Sequence, residues 1–428
     1  MKVLWVKSGG FLPLDTGGKI RSFNVARELA RRHDVTVFTF YPRMSEDPHS
    51  RLGEIFHRVE CLPVDLPDRA ALTDMLAYAV NALTIYPYQM RKYCRPQVRT
   101  RLRQALRQHP YDVILCDYLL TAGVLPFDLG IPTVIFTHNV EAVIWYRQYS
   151  VSRNLLWKAI AWREYRTLDR MERRLTHLAD HILTVSDADR ETFLRFLPAK
   201  KVTTVPTGVD LGYFQPSCSQ PRAHSLVFTG SMDWLPNEDA MEYFCSEILP
   251  LIRKRIPNVT LQIVGRKPTR KVAALKERYP NVEVTGAVDD VRRYVHESSV
   301  YIVPLRIGGV TRIKIFEAMA MGMPIVSTTI GAEGLPVSHG ENIVLADDPV
   351  EFADRTADLL MDPVARCRIG SAARTLVESR YSWQAVTDIV DDVLRRVAGH
   401  HGSSPTTIPA NHGEATTAKS APEEIPCR

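Results

Sequence analysis

The segment from residue 300 to residue 328 constrains the fold most, because two short apolar runs flank a loop and a helical stretch. Residues 300–303 and 325–328 have the length and composition of buried strands. Gly322 and Pro324 end the helix between them. A strand, a loop, a helix and a second strand form the unit of an α/β sheet, so the sequence predicts this architecture.

The helix of this unit carries cations at the end where its dipole disfavours them. Arg312 and Lys314 fall in the first turn, and Gly308 and Gly309 precede them in the loop. A helix N-terminus and glycine amides attract anions, so these residues predict an anion site. The alternative is a solvated basic turn without a ligand.

The first half of the chain opens with the same alternation. Residues 3–6 and 35–40 are apolar strands around a predicted helix at 20–32, and Gly17 and Gly18 precede that helix. Backbone amides at glycines let a phosphate approach without a side chain in the way. The pattern predicts a doubly wound sheet that binds ligands beyond the carboxyl ends of its strands.

Two familiar nucleotide-binding motifs are excluded by individual residues. A Walker loop ending at Gly18 and Lys19 would require glycine at Pro13 and a hydroxyl residue at Ile20. The dinucleotide fingerprint G-x-G-x-x-G is absent, and the strand at 35–40 is followed by no acid for a ribose. We therefore expect neither P-loop chemistry nor NAD, and no resident cofactor.

Composition favours a multidomain intracellular protein. The 428 residues are 45% hydrophobic with a net charge of +6, which suits anionic substrates or an acidic membrane. Seven scattered cysteines without a CxxC pair indicate reduced thiols rather than disulfides or a zinc site. The sequence shows no signal peptide and no apolar run long enough to span a bilayer, so we expect a cytoplasmic location.

The second half repeats the alternation of strands and helices after a stretch rich in proline and serine at 215–221. Two similar sheets with a cleft between them are expected. The expected divisions are an N-terminal domain, a C-terminal domain, a closing helix and a disordered polar tail, at residues 1–205, 206–380, 381–398 and 399–428.

Polar side chains follow the predicted strand at 133–137, where His138, Asn139 and Glu141 come in succession. The carboxyl end of a parallel strand is a favoured place for chemistry. A structural histidine with satisfied hydrogen bonds fits this segment equally well. Another polar pair, Asp187 and Asp189, follows Ser186; we interpret Ser186 as a helix N-cap rather than this pair as a metal site.

Two stretches are rich in cations. Residues 91–107 hold seven lysines and arginines without an acid, and residues 145–174 interleave arginines with tryptophans and tyrosines. Such stretches can lie on an anionic bilayer. They can equally be solvated helix faces with the aromatic residues in the core. Nucleic acid is not expected as a partner, because no nucleic-acid motif accompanies the charge.

The run FEAMAMGMP at residues 316–324 resembles glycosyltransferase family four, the retaining sugar transferases of GT-B fold. The resemblance spans about residues 1–398 and implies two Rossmann-like doubly wound domains that face each other across a cleft. Further matching segments are residues 15–18, 205–210, 227–230, 263–265, 284–286 and 314–328.

The resemblance implies a nucleotide-sugar donor in the C-terminal domain, an acceptor in the N-terminal domain and no bound metal. Glu317 inherits a hydrogen bond to the ribose. His138 inherits a place near the transferred sugar, with Asn139 and Glu141 on the acceptor side. Catalysis is assigned to His138, Arg312 and Lys314. The candidate contacts of the donor diphosphate are Gly17, Gly18, Gly230, Gly308, Gly309, Arg312 and Lys314.

The chain departs from the family pattern at two places. Many members have a first glutamate separated by seven residues from the glutamate at the position of Glu317, and this chain has Gly309 there. Many also carry an arginine and a lysine after the loop of Gly230, where residues 232–237 contain neither. We expect Arg312 and Lys314 to bind the diphosphate instead.

The predicted function is transfer of a sugar from a UDP- or GDP-linked donor to a glycan or lipid-linked acceptor in cell-envelope or exopolysaccharide biosynthesis. Two alternatives stay open at this point. One is a nucleotide-sugar epimerase, which shares the two-domain architecture. The other is a non-catalytic nucleotide-sugar-binding protein, which the glycine at position 309 keeps open.

Overall fold

The computed structural model describes residues 1–14, 16–43, 47–65, 72–152, 154–217, 220–307 and 313–401. The chain divides into two compact units. The first unit contains Met1–Pro206 and Thr387–Arg428, and the second contains Thr207–Val386.

The first unit is built on one sheet of seven parallel strands in the order β3-β2-β1-β4-β5-β6-β7. The strands are β1 (Lys2–Ser8), β2 (Asp34–Pro42), β3 (Arg58–Val64), β4 (Val113–Asp117), β5 (Thr133–Phe136), β6 (His181–Thr184) and β7 (Val202–Thr204). The helices are α1 (Gly17–Ala30), α2 (Leu72–Ala82), α3 (Tyr88–Tyr93), α4 (Pro96–Gln108), α5 (Glu141–Val151), α6 (Leu155–Leu178) and α7 (Asp187–Leu194).

The second unit holds a sheet of six parallel strands in the order β10-β9-β8-β11-β12-β13. The strands are β8 (Ser225–Thr229), β9 (Thr260–Val264), β10 (Val282–Gly286), β11 (Val300–Val303), β12 (Ile325–Ser327) and β13 (Val344–Leu345). The helices are α8 (Leu235–Tyr243), α9 (Leu249–Arg255), α10 (Arg270–Ala273), α11 (Leu275–Arg278), α12 (Arg292–His296), α13 (Ile313–Ala320), α14 (Pro349–Met361) and α15 (Pro363–Arg380). Helix α16 (Trp383–His401) ends the described chain.

Each sheet has the strand order of a doubly wound fold, and each unit has its own apolar core. In this order the connections change direction between β1 and β4 in the first unit, and between β8 and β11 in the second. Loops diverge at such a switch point and leave a crevice at the carboxyl ends of the strands. The topology therefore indicates one ligand site in each unit.

The predicted α/β architecture is confirmed, and the predicted strands occur with their ends shifted by one or two residues. Ser186 caps α7 as interpreted, because its Oγ accepts a hydrogen bond from the Asp189 amide at 3.1 Å. No sequence signal pointed to β3 or β13. β3 is only half-buried and contains Pro63, and β13 is two residues long.

Candidate functional sites

The switch point of the first unit holds a buried ion pair. Lys7 and Asp117 are register partners on β1 and β4, and Lys7 Nζ lies 3.2 Å from Asp117 Oδ2. The Trp5 indole N–H donates to the same oxygen at 3.0 Å. Burial alone would raise the pKa of the Asp117 carboxyl, but Lys7 and His138 hold that pKa well below its usual range. Asp117 is therefore an ionised carboxylate inside the protein.

His138 follows β5 and is oriented by this carboxylate. Its Nε2 lies 2.8 Å from Asp117 Oδ1, and its pKa falls to about 4 because of burial. An ionised carboxylate only accepts hydrogen bonds, so the neutral ring carries its proton on Nε2. Nδ1 is then an acceptor, and Arg21 Nη1 lies 3.5 Å from it. His138 Nδ1 can accept a hydrogen bond from a hydroxyl group that replaces this long contact with Arg21.

Tyr118 holds the histidine ring from one side. Its backbone has a φ of 76°, a strained value for a residue with a side chain. The strain places its ring 4.1 Å from the ring of His138, in a stacked arrangement. A Cβ added to Gly18 would lie 2.0 Å from the Tyr118 hydroxyl and 3.4 Å from His138 Nδ1. Gly18, in the first turn of α1, and His138 are thus close together, and only glycine fits.

The other acceptor-side candidates differ in environment. Asn139 is exposed, whereas Glu141 starts α5 and is half-buried. Burial raises the pKa of Glu141 to about 7. Burial and the adjacent Glu141 raise the pKa of Glu172 to about 8, and its Oε1 accepts the Glu141 amide at 3.2 Å. Glu141 can therefore exchange a proton near neutral pH.

A cavity of about 900 Å³ lies in the first unit, beside this cluster. Lys7, Tyr118 and the loop of Gly9 and Gly10 line it where β1 ends. Aromatic, apolar and charged side chains of α2, α3, α5 and α6 line the remaining wall. The cavity is large enough for a sugar or a similar small molecule.

The second unit has its polar cluster around Gly230, at the end of β8. Lys314 Nζ on α13 donates to Asn237 Oδ1 at 2.8 Å and lies 4.2 Å from the ring centroid of Phe228. A Cβ on Gly230 would come within 2.9 Å of Lys314 Nζ and 2.7 Å of Asn237 Nδ2. The glycine therefore lets the lysine reach over the end of the strand.

Glu317 lies one turn after Lys314 on α13. Burial raises the pKa of its carboxyl to about 7, against the opposing effect of the Lys314 ammonium. Within the described residues, the carboxyl receives no hydrogen bond. A desolvated carboxyl group in this state has its oxygens available to a ligand's hydroxyl groups.

One cation near Gly230 was not among the sequence candidates. Arg266 follows β9, and its Nε donates to Ser231 Oγ in the Gly230 loop at 3.1 Å. The signal for it was present, because β9 is the neighbour of β8 and residues after adjacent parallel strands meet at one sheet edge. Asp117 has a similar signal as the last residue of β4. Gly308, Gly309 and Arg312 lie outside the described residues, and Gly17 is the first residue of α1.

Several cations of the first basic stretch are engaged within the first unit. Arg99 donates to the Gly123 carbonyl at 2.9 Å, and Arg103 forms a bidentate pair with Asp128 at 3.0 Å. Among the helices that the structure describes, none has the length and hydropathy of a membrane span. The described residues also contain no cluster of His, Cys, Asp or Glu suited to a metal ion.

Comparison with known families matches most of both units. The sequence model described as Glycosyltransferase Family 4 matches residues 16–213, and that described as Glycosyl transferases group 1 matches residues 223–362. The chain belongs to glycosyltransferase family 4. Its resemblance to that family is confirmed, and this family 4 member is a glycosyltransferase.

Individual relatives of this glycosyltransferase are distant. An uncharacterized 44.6 kDa protein in the cps region of Klebsiella pneumoniae is 22% identical over 90% of this chain and 97% of its own length. A GDP-mannose-dependent phosphatidylinositol monomannoside mannosyltransferase of Mycobacterium tuberculosis is 26% identical over 52% of this chain and 63% of its own.

Solved structures share the fold of this family 4 member. HepE of Anabaena in complex with UDP superposes with a TM-score of 0.65 at 16% identity, over 92% of this chain and all of HepE. Its likeness shows the fold alone, and it agrees with the two doubly wound sheets described above.

Proposed function

We propose that this glycosyltransferase moves a sugar from a UDP- or GDP-linked donor to a glycan or lipid-linked acceptor, with retention of the anomeric configuration. The second unit binds the donor. The observation that carries this proposal is the cluster of Gly230, Lys314 and Glu317 at the switch point of that unit.

Each group of this cluster fits one part of a nucleotide sugar. Departure of a nucleoside diphosphate builds negative charge on its phosphates, and preorganised donors stabilise that charge. Lys314 and Arg266 provide positive charge beside the Gly230 loop. The Glu317 carboxyl, without a hydrogen bond from the described residues, suits the ribose hydroxyls. Because these cations offset the charge, the proposed reaction uses neither a metal nor a cofactor.

The first unit binds the acceptor, with the reacting sugar at the His138 cluster that adjoins the cavity through Lys7 and Tyr118. His138 Nδ1, held as an acceptor by the Asp117 carboxylate, receives a hydrogen bond from a sugar hydroxyl. Glu141, with its pKa near 7, and the exposed Asn139 closely follow His138 in the chain and are the candidate polar contacts of the acceptor. Gly18 lets the Tyr118 hydroxyl pack beside the ring of His138.

Relatives support both the chemistry and the biological setting. HepE has been solved with UDP and with UDP-glucose, and the mycobacterial relative depends on GDP-mannose. The cps-region relative and the phosphatidylinositol mannoside enzyme motivate a role in cell-envelope or exopolysaccharide biosynthesis. We place this reaction in the cytoplasm, at the inner face of the cytoplasmic membrane.

A transfer assay tests the proposal. The protein is incubated with UDP- and GDP-sugars, with and without glycan or lipid-linked acceptors, and the product anomer is read by NMR. We expect an acceptor-dependent product with the anomeric configuration of the donor. Conversion of the donor sugar without acceptor would instead identify an epimerase. Donor binding without any product would identify a non-catalytic protein.

A further inference from the structure

The first unit exposes hydrophobic side chains in an uneven way. Half of all exposed large hydrophobic side chains in the described part of the chain fall within residues 75–85 and 144–162. Single exposed hydrophobic residues are ordinary, but a contiguous group marks an interaction surface. The apolar ridge, as we name it, consists of Met75, Leu76, Val80, Leu83, Ile85, Leu155, Leu156 and Trp157.

The two segments of the apolar ridge are fastened together. Arg163 of α6 donates through Nη2 to the carbonyls of Asn81, Thr84 and Tyr86, at 2.6, 3.0 and 3.3 Å. Its guanidinium lies 5.6 Å from the ring centroid of Tyr78. These bonds fix the turn after α2 against α6, the helix that carries the other segment of the ridge.

Four members of the ridge are the most exposed. Leu83 and Ile85 are 89% and 71% exposed, and Leu155 and Leu156 are 83% and 72% exposed. Leaving a large aliphatic side chain in water costs about 1.5–3 kcal/mol relative to burial. Four such side chains in one unit indicate that an apolar partner covers them.

The ridge adjoins the cavity that we assign to the acceptor. Met75 and Trp157 belong to the ridge and also line the cavity, whose other end holds Lys7 and Lys19. The cavity thus combines charged side chains with apolar ones that continue into the ridge. A ligand that contacts both the cavity and the ridge is an amphiphile with a polar head and an apolar chain.

The surroundings of the ridge match a membrane interface rather than a protein interface. Trp162 and Tyr149 are next to it in an aromatic cluster, with Arg166 5.6 Å above the former ring and Lys158 5.1 Å above the latter. Aromatic rings with adjacent cations are typical of segments at the level of lipid head groups. Asp74, the acid of α2 nearest to the ridge, is paired with Lys92 at 3.1 Å.

We propose that the apolar ridge docks on a lipid bilayer and that the adjoining cavity takes the polar head of a lipid-anchored acceptor from that surface. The second half of this statement rests on the proposed function. The docking is mainly hydrophobic, in contrast to adhesion through the basic stretch at 91–107. It therefore persists when salt screens surface charges.

Vesicle flotation of the full chain tests the docking. The probes are vesicles of phosphatidylcholine, and of phosphatidylcholine mixed with phosphatidylglycerol, at low and high salt. We expect the wild type to float with the mixed vesicles at both salt concentrations. Two double variants, Leu83→Asp with Ile85→Asp and Leu155→Asp with Leu156→Asp, are expected to lower partitioning by about tenfold or more.

The matched control is Val350→Asp with Val364→Asp in the second unit. Both valines are exposed and lie in the first turns of α14 and α15, where an added negative charge is tolerated. This control is expected to float like the wild type. Flotation of the ridge variants at the wild-type level would overturn the proposal. Light scattering that shows a dimer for the wild type and a monomer for the ridge variants would also overturn the proposal. The ridge would then be a contact between two copies of the chain.

Separate readouts keep the two proposals apart. Titration with UDP and GDP reports donor binding and is expected to be unchanged in the ridge variants. Sugar transfer to soluble acceptors without vesicle binding would overturn the docking and leave the proposed function intact. Vesicle binding without transfer to any acceptor would support the docking and overturn the proposed function.

Discussion

The Glu317→Gln substitution is expected to stabilise the unliganded protein at alkaline pH. The pKa of this carboxyl is raised from 4.5 to about 7 by burial. Between these values the folded state binds more protons than the unfolded state, so the free energy of unfolding falls as pH rises through the window. The ionised side chain then costs up to about 3 kcal/mol. Glutamine does not titrate, so the variant avoids this cost.

The expected gain in stability appears as a difference in melting temperature between the variant and the wild type, and this difference depends on pH. A unit of this size shifts by about 2–4 °C per kcal/mol, so the variant melts up to about 10 °C above the wild type at pH values above 7. At pH values below 4.5 both side chains are neutral and the melting temperatures agree. Differential scanning calorimetry across this range measures both limits.

The same substitution is expected to weaken donor binding. Glutamine keeps one carbonyl oxygen but loses the charge that strengthens a hydrogen bond from a ribose hydroxyl. Such a bond contributes about 1.5–3 kcal/mol, which is roughly a 10- to 100-fold change in the dissociation constant of the nucleotide. Glu341→Gln, at an exposed position of the same unit, is the control and should change neither property. Equal stability of Glu317→Gln and wild type at pH 8 would refute the buried, charged state described for this carboxyl.

Two further substitutions probe the two units separately. Asp117→Asn removes the carboxylate that accepts the hydrogen bond from His138 Nε2–H. Sugar transfer should fall by about 10²-fold while nucleotide affinity is unchanged. Transfer at the wild-type rate would show that His138 needs no such orientation. Gly230→Ala places a Cβ within 2.9 Å of Lys314 Nζ. Calorimetric titration should show weaker nucleotide binding, and the variant should keep the fold that transfer requires. Undiminished nucleotide affinity would show that Lys314 does not act from this position.

Most of the strands could be predicted because their signals are local. Short valine- and isoleucine-rich runs bounded by glycine or proline are read directly from the chain, as at residues 325–328 after Gly322 and Pro324. The placement of His138 at a strand end follows from the same pattern. In a doubly wound sheet, a residue that follows a strand lies at the carboxyl-end edge of the sheet, where ligands bind.

The pairing inside each cluster could not be predicted, since it depends on register and strand neighbours. Lys7 meets Asp117 only because β1 and β4 are adjacent in this register, although 110 residues separate the two side chains in sequence. Arg266 reaches the loop of Gly230 because β9 neighbours β8. The raised pKa of Glu317 is likewise a property of the packed α13, which sequence patterns do not reveal.

Calorimetric titration of the full chain with UDP and GDP tests the donor site most directly. One of the two nucleotides should bind the wild type, and Lys314→Ala should weaken it by roughly tenfold or more, because a cation next to the diphosphate is lost. Lys276→Ala, at an exposed lysine of the same unit, should bind like the wild type. Absence of binding by both nucleotides, or equal affinity of Lys314→Ala and wild type, would contradict the assignment of the donor to the Gly230, Lys314 and Glu317 cluster.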